Sequence, residues 1–150
     1  MRKRLAGLVM AALLVGACGV TAGIESTIEA MPPIPETPTG WVPVESMGGT
    51  GSQFSVATGV QLGGGEVALN GACRGAGSLV VVILPASGGD SGAGPSAVFP
   101  CGGTGATATN RFELTGMPIP DKATVRATVV EDAGTNRHAA FYISVEQRQP

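Results

Sequence analysis

Residues 79–84 read Leu-Val-Val-Val-Ile-Leu, an uninterrupted apolar run that lies between Gly77 and Pro85. Val and Ile are branched at Cβ and favour extended backbone, and a run of this length is short for a helix. Neither face of such a strand would carry a polar side chain, so we expect both faces to be covered. The stretch therefore predicts a central strand in a β-protein.

On either side of this run, apolar and polar residues alternate with a period of two, which is typical of half-buried strands. Gly, Pro and Asn separate the alternating segments, and none of them shows good helical periodicity. Residues 132–137 form a turn-rich loop between the last two segments and predict a hairpin there. The alternating segments are 54–62, 67–73, 97–101, 112–114, 125–129 and 139–145.

The pattern indicates one all-β domain of about seven short strands in residues 52–150. We expect a β-sandwich, either immunoglobulin-like or jelly-roll-like, with a small β-barrel as the alternative. The composition agrees with one small domain, since the chain has 150 residues, of which 43% are hydrophobic and 13% charged. The formal net charge of −2 argues against a nucleic-acid partner, because such proteins carry a basic face.

The N-terminus has the features of an export signal. A cationic start, Arg2-Lys3-Arg4, precedes the uncharged apolar stretch 5–17, which is too short to cross a hydrocarbon core of about 30 Å. The stretch ends in Val15-Gly16-Ala17-Cys18, which resembles the lipobox of bacterial lipoproteins. The resemblance implies that residues 1–17 are a signal peptide, that Cys18 receives a lipid, and that the chain is held on the extracytoplasmic face of the cell membrane. An ordinary signal peptide and a retained membrane helix are the alternatives.

Residues 18–51 predict a Pro/Gly-rich tether behind the lipidated Cys. Prolines lie at positions 32, 33, 35, 38 and 43, and proline favours extended polyproline II over a helix or a central strand. Trp41, the only Trp in the chain, is either an aromatic binding element or a plug that docks the tether on the domain edge. With Tyr142, which has outward parity in the last strand, it is a candidate contact residue for a partner.

Cys73 and Cys101 both fall on the inward parity of their strands. An exported chain meets oxidising conditions, so we expect a disulfide between them. Two buried thiols or half of a metal site are the alternatives, although zinc needs four ligands and His138 is the only further candidate. We therefore expect no metal and no cofactor. The run 73–82 with Cys101 resembles small uncharacterised lipoproteins of high-GC bacteria, and that resemblance implies no activity.

The sequence contains no complete catalytic pattern. Residues 89–92, Gly-Asp-Ser-Gly, are similar to the stretch around the nucleophilic serine of chymotrypsin-like proteases. That chemistry needs a histidine base and an orienting carboxylate, but the only histidine, His138, follows Ser91 instead of preceding it. Glu131 and Asp132 are more typical of a soluble hairpin end than of a calcium site. We therefore expect that the chain is not an enzyme.

These features predict a lipid-anchored interaction module of the cell envelope, which binds the membrane through Cys18 and contacts an unknown envelope protein or polymer. One alternative is a small ligand-sensing or inhibitory module whose loops 85–96 and 102–110 contact a target. A hydrolase that uses Ser91 is the other.

Overall fold

The computed structural model describes residues 30–51, 55–75, 77–86, 94–130 and 138–150. Within these ranges the chain forms eight strands and no helix. The strands are β1 (Trp41–Gly51), β2 (Ser55–Gln61), β3 (Val67–Gly75), β4 (Ser78–Pro85), β5 (Ser96–Pro100), β6 (Gly103–Glu113), β7 (Lys122–Val130) and β8 (Ala139–Arg148). Cys18, Phe54, Ser91, Glu131 and Asp132 lie outside the described residues.

The strands form two antiparallel sheets of four strands each. Sheet A has the order β1-β8-β3-β6, and sheet B has the order β2-β7-β4-β5. Every connection except that between β4 and β5 passes from one sheet to the other, which is the topology of an eight-stranded jelly roll. The predicted β-sandwich is confirmed, in its jelly-roll form. Among the described strands, neither sheet closes on itself or on the other, so the fold is not the alternative barrel.

Strand β4 lies inside sheet B, with β7 on one side and β5 on the other. Leu79, Val81 and Ile83 point between the sheets and are fully buried. Val80 and Val82 point outwards and are only half-buried. The central position predicted from the apolar run is correct, but the described residues only partly cover its outer face.

The core between the sheets is built from inward-facing side chains of both sheets, as alternation predicts. The buried rings of Phe99 and the partly buried Phe112 meet edge to face, with centroids 4.9 Å apart. Gly71 faces the same ring, and a Cβ there would lie 2.8 Å from Cε1 of Phe99 and 2.3 Å from Cδ1 of Ile143. The core leaves no room for a side chain at this position.

A disulfide joins the two sheets. Cys73 lies in β3 of sheet A and is fully buried, whereas Cys101 follows the last residue of β5 in sheet B. The Cα atoms are 4.6 Å apart. The predicted Cys73–Cys101 bond is therefore confirmed, and it links sheets A and B at the end of the sandwich where β3 and β5 finish.

The boundary predicted between tether and domain at residue 52 is wrong, because residues 41–51 form β1. This strand pairs with β8 from Trp41 opposite Arg148 to Gly51 opposite Ala139. It is an edge strand, where proline is tolerated, and the register shifts between Pro43 and Glu45. Pro43 and the glycines at positions 48, 49 and 51, which contributed to the tether prediction, thus belong to the sheet.

Two further sequence predictions are wrong. Residues 102–110 are not a contact loop, because β6 begins at Gly103 and pairs with β3, and the predicted segment 112–114 is only the end of this strand. The strands number eight instead of about seven because β1 was not predicted. The last two strands do not form a hairpin, since β7 pairs with β2 and β4 in sheet B, whereas β8 pairs with β1 and β3 in sheet A. Alternation identified these strands but carried no information about which sheet each strand joins.

Candidate interaction surface

Residues 31–38, which we call the strap, lie on the outer face of sheet A. The side-chain amide of Asn70 donates to the carbonyl oxygen of Glu36 at 3.0 Å. Pro32 is buried, and Cε of Met31 lies 2.9 Å from the position that a Cβ on Gly48 would occupy. The strap therefore runs along β8, from the level of Tyr142 to the level of Glu146.

A tight turn then reverses the chain into β1. The Trp41 amide donates to the carbonyl of Pro38 at 3.1 Å, and Gly40 has a φ of +84°. This is the arrangement of a type II turn, in which a glycine in the third position is favoured. The carbonyl of Gly40 also accepts from the amide of Gln149 at 2.9 Å, which ties the turn to the end of β8.

The outer face of β3 and β8, which the strap partly covers and which we call the groove, carries small side chains. The floor residues alternate with core residues along β3 and β8 and point away from the core, yet each is at most 3% exposed. They are Ala68, Ala72, Ala140 and Ser144. Outward positions of a sandwich are ordinarily in water, so their burial marks this face as covered.

A buried carboxylate lies at one end of the groove. Glu146 is fully buried, and its two oxygens accept from Asn70 at 2.9 Å and from Nε of Arg111 at 3.1 Å. Nη1 of Arg111 also pairs with Glu113. Because Arg111 lies on β6 and Glu146 on β8, this ion pair spans the intervening strand β3.

Trp41 stacks on two guanidinium groups at the same end. Its ring centroid lies 4.2 Å from Cζ of Arg111 and 5.8 Å from Cζ of Arg148. Arg148 also pairs with Glu66 at 2.6 Å, and this hydrogen bond raises the pKa of Arg148 above its ordinary value. Both guanidinium groups thus lie beside the tryptophan face, an arrangement that cation–π attraction stabilises.

The two candidate contact aromatics lie at opposite ends of the strap. Tyr142 is half-buried on the outer face of β8, opposite Gly48 and near Met31, whereas Trp41 follows the turn that ends the strap. The sequence prediction singled out these aromatics but missed Asn70, Arg111 and Glu146. The one sequence signal for this cluster was the row of small residues at outward strand positions, which indicates that the face is covered.

Two polar atoms of this surface have no hydrogen-bond partner among the described residues. They are Nη2 of Arg111 and Oγ of Ser144, and both are buried. Asn70 pairs in register with Arg111 on one side and with Ser144 on the other. The unsatisfied atoms therefore flank the one side chain that holds the strap.

Two adjoining open grooves, of about 520 and 500 Å³, surround residues 63–66 at the end of the sandwich where β1 begins. The C-terminal residues 147–150 line one, and residues 114–117 with Ile119 line the other. With its amide oxygen turned to the loop, Gln147 accepts from Gly63 and Gly65 at 3.0 and 3.2 Å. The polar groups of these grooves are thus largely used within the fold.

The segment that contains Ser91, the nucleophile of the alternative hydrolase, lies outside the described residues. Ala86 and Gly94, the described residues on either side of that segment, follow β4 and precede β5 at the end of the sandwich near residues 63–66. His138 precedes β8 at the opposite end, where Ala139 pairs with Gly51.

In the described part of the chain, no three His, Cys, Asp or Glu residues lie together as a metal site. None of the described residues forms a helix that could cross a membrane.

Comparisons with known proteins identify no family for this chain. No protein-family model matches it, and no curated protein matches its sequence. A solved structure of the disulfide-linked pili that form Bacillus endospore appendages aligns with 81% of this chain and 99% of that chain, at 13% identity and a TM-score of 0.35. At this TM-score, the similarity carries no argument about the fold or the function.

Proposed function

We propose that this chain is a lipid-anchored interaction module on the extracytoplasmic side of the cell membrane, with Cys18 as the lipidated residue. The outer face of sheet A, with its strap, is the surface that it offers to an envelope protein or polymer. The observation that carries the proposal is the Cys73–Cys101 disulfide, because such bonds persist in oxidising compartments outside the cytosol. An export signal that ends in a lipobox would deliver the chain there.

The anchor is tested by metabolic labelling with an alkyne fatty acid, followed by membrane fractionation and mass spectrometry of the mature N-terminus. We expect labelled chain in the membrane fraction, beginning at a modified Cys18. Cys18→Ser should abolish the label, whereas Gly19→Ala, a small change beside it, should leave the label in place. A wild-type chain that carries no label, or Cys18→Ser protein that remains labelled, would contradict the lipid anchor.

The interaction surface is tested by cross-linking in intact cells. Ile34 on the strap is 67% exposed, and Val98 on the outer face of sheet B is 53% exposed, so both accept a charge without disturbing the core. We expect Ile34→Asp to lower the yield of the cross-linked partner at least several-fold, and Val98→Asp to leave it unchanged. The reverse pattern would place the interaction surface on sheet B. Recovery of no partner from wild-type cells would count against an interaction module.

A further inference from the structure

The groove on sheet A has the chemistry of a site for an extended proline-rich peptide. Prolines lack the amide donor, so such peptides are recognised through ring packing and through their carbonyl oxygens. Here Pro32 is buried, and the side-chain amide of Asn70 donates to the carbonyl of Glu36. Small floor residues let the peptide approach closely, and Tyr142 lies near its start.

The strap of the same chain uses only part of this site. Oγ of Ser144 and Nη2 of Arg111 are buried on either side of Asn70 and find no acceptor among the described residues. A buried donor without a partner costs free energy. The turn at Pro38–Trp41 fixes the register of the strap in its own chain and so restricts which carbonyls it can present.

We propose that the strap exchanges between copies, so that residues 31–38 of one copy occupy the sheet A groove of a second copy. The proposal names the partner of the surface proposed above and rests on that surface being an interaction surface. A second copy presents the same groove, so the strap can make every described contact equally well on that copy. Within one copy, the Pro38–Trp41 turn is the described part of the chain that connects the strap to its own sheet. A strap freed from that turn can also shift in register and offer carbonyls to Ser144 and Arg111. Copies held on one membrane would meet at raised local concentration, which favours exchange.

A substitution at Gly40 should open the turn. Its φ of +84° disfavours any L-residue, and a Cβ placed there meets no atom within 4 Å, so a substitution acts through the backbone alone. Gly40→Val should lower the ratio of closed to open straps about tenfold or more, which is the order of the left-handed penalty. Gly59→Val is the matched control, since Gly59 also has open space but lies in β2 without a positive φ.

The test measures the mass of the purified chain, as cells process it, by size-exclusion chromatography with light scattering over a concentration series, subtracting any detergent. We expect Gly40→Val to form a dimer at concentrations at least tenfold lower than wild type or Gly59→Val. Excess synthetic peptide of residues 30–39 should return the dimer to monomer. A Gly40→Val chain that stays monomeric at every concentration, or a dimer that the peptide leaves intact, would overturn the proposal. The result does not depend on lipidation or on a cellular partner, so it fails separately from the proposed function.

Discussion

The side chain of Arg111 on β6 reaches across β3 and places its Nε 3.1 Å from Oε2 of Glu146 on β8. Glu146 is fully buried, and the side chain of Arg111 is only 21% exposed. A carboxylate in such a place is stable only while its hydrogen bonds and its cation remain. Together with Asn70 on β3, which also donates to Glu146, the pair therefore links three of the four strands of sheet A.

Removing one partner of this pair should cost more than removing both. We expect Arg111→Met to lower the free energy of unfolding by about 3 kcal/mol, because it leaves the Glu146 charge buried and unpaired. Arg111→Met with Glu146→Met should lose clearly less, since no charge is then left behind. Urea denaturation of Arg111→Met, Glu146→Met, the double variant and an exposed-cation control, Lys122→Met, measures the difference. A double variant that loses the sum of its two single losses would show that the charges do not interact.

The disulfide should contribute a large share of the stability. Cys73 and Cys101 are 28 residues apart in sequence, and closing a loop of this length stabilises the fold by roughly 3–4 kcal/mol in the chain-entropy estimate. Cys73→Ala with Cys101→Ala should therefore lower Tm by more than about 10 °C, at about 4–8 °C for each kcal/mol. Thermal unfolding followed by circular dichroism, with and without reductant, checks this. An unchanged Tm would mean that the bond does not constrain the unfolded chain.

Gly71 should be intolerant of even one methyl group. Gly71→Ala places a Cβ 2.3 Å from Cδ1 of Ile143 and 2.8 Å from the Phe99 ring, so we expect a loss of about 1–3 kcal/mol from overpacking. Ile143→Val removes the nearer atom and should recover part of that loss in the double variant. Gly59→Ala, whose Cβ meets no atom within 4 Å, should change stability by less than about 0.5 kcal/mol. Equal losses in the two alanine variants would contradict the packing argument.

Trp41 should stabilise the start of β1 through its stack on Arg111. Trp41→Ala removes the ring 4.2 Å from the guanidinium, and we expect a loss of about 1–2 kcal/mol in unfolding free energy. Trp41→Phe keeps an aromatic face and should lose less. Circular dichroism is the suitable probe, because the only tryptophan of the chain is being changed. A phenylalanine variant as unstable as the alanine variant would mean that the aromatic face contributes nothing.

The sequence was sufficient to predict the strands in which large β-branched side chains alternate with polar ones or follow one another without interruption. Residues 79–84 identified β4, and the inward parity of Cys73 identified the disulfide, because burial and period two are local properties. Strand β1 was missed, and only the end of β6 was predicted, for a physical reason as well. Both are edge strands, and their pairing depends on partners far away in the chain. Residues 103–109 of β6 consist of Gly, Thr and Ala, and β1 ends in Gly-Gly-Thr-Gly, so neither stretch shows alternation of large side chains.

The site was less accessible to sequence reasoning than the fold. Glu146 alternates with apolar residues as a solvent-facing charge does, yet it is fully buried and bonded to Asn70 and Arg111. Tertiary contacts between residues 36, 70, 111 and 146 bring the cluster together, and no local pattern predicts such contacts. The tether prediction was wrong for residues 31–51, for a related reason. A proline-rich segment lacks internal hydrogen bonds, yet it docks where a sheet supplies donors and small residues.

The docked strap has a consequence for how far the folded unit can reach from the membrane. If Cys18 is lipidated, as we propose, eleven residues separate the anchor from Ala30, a span of at most roughly 40 Å at full extension. Release of the strap moves the attachment point to Trp41 and lengthens this span to roughly 80 Å, so that the volume within reach grows about eightfold. The contacts that dock the strap, which include the Asn70 hydrogen bond, the burial of Pro32 and the Gly40 turn, thus set the shorter of these two distances.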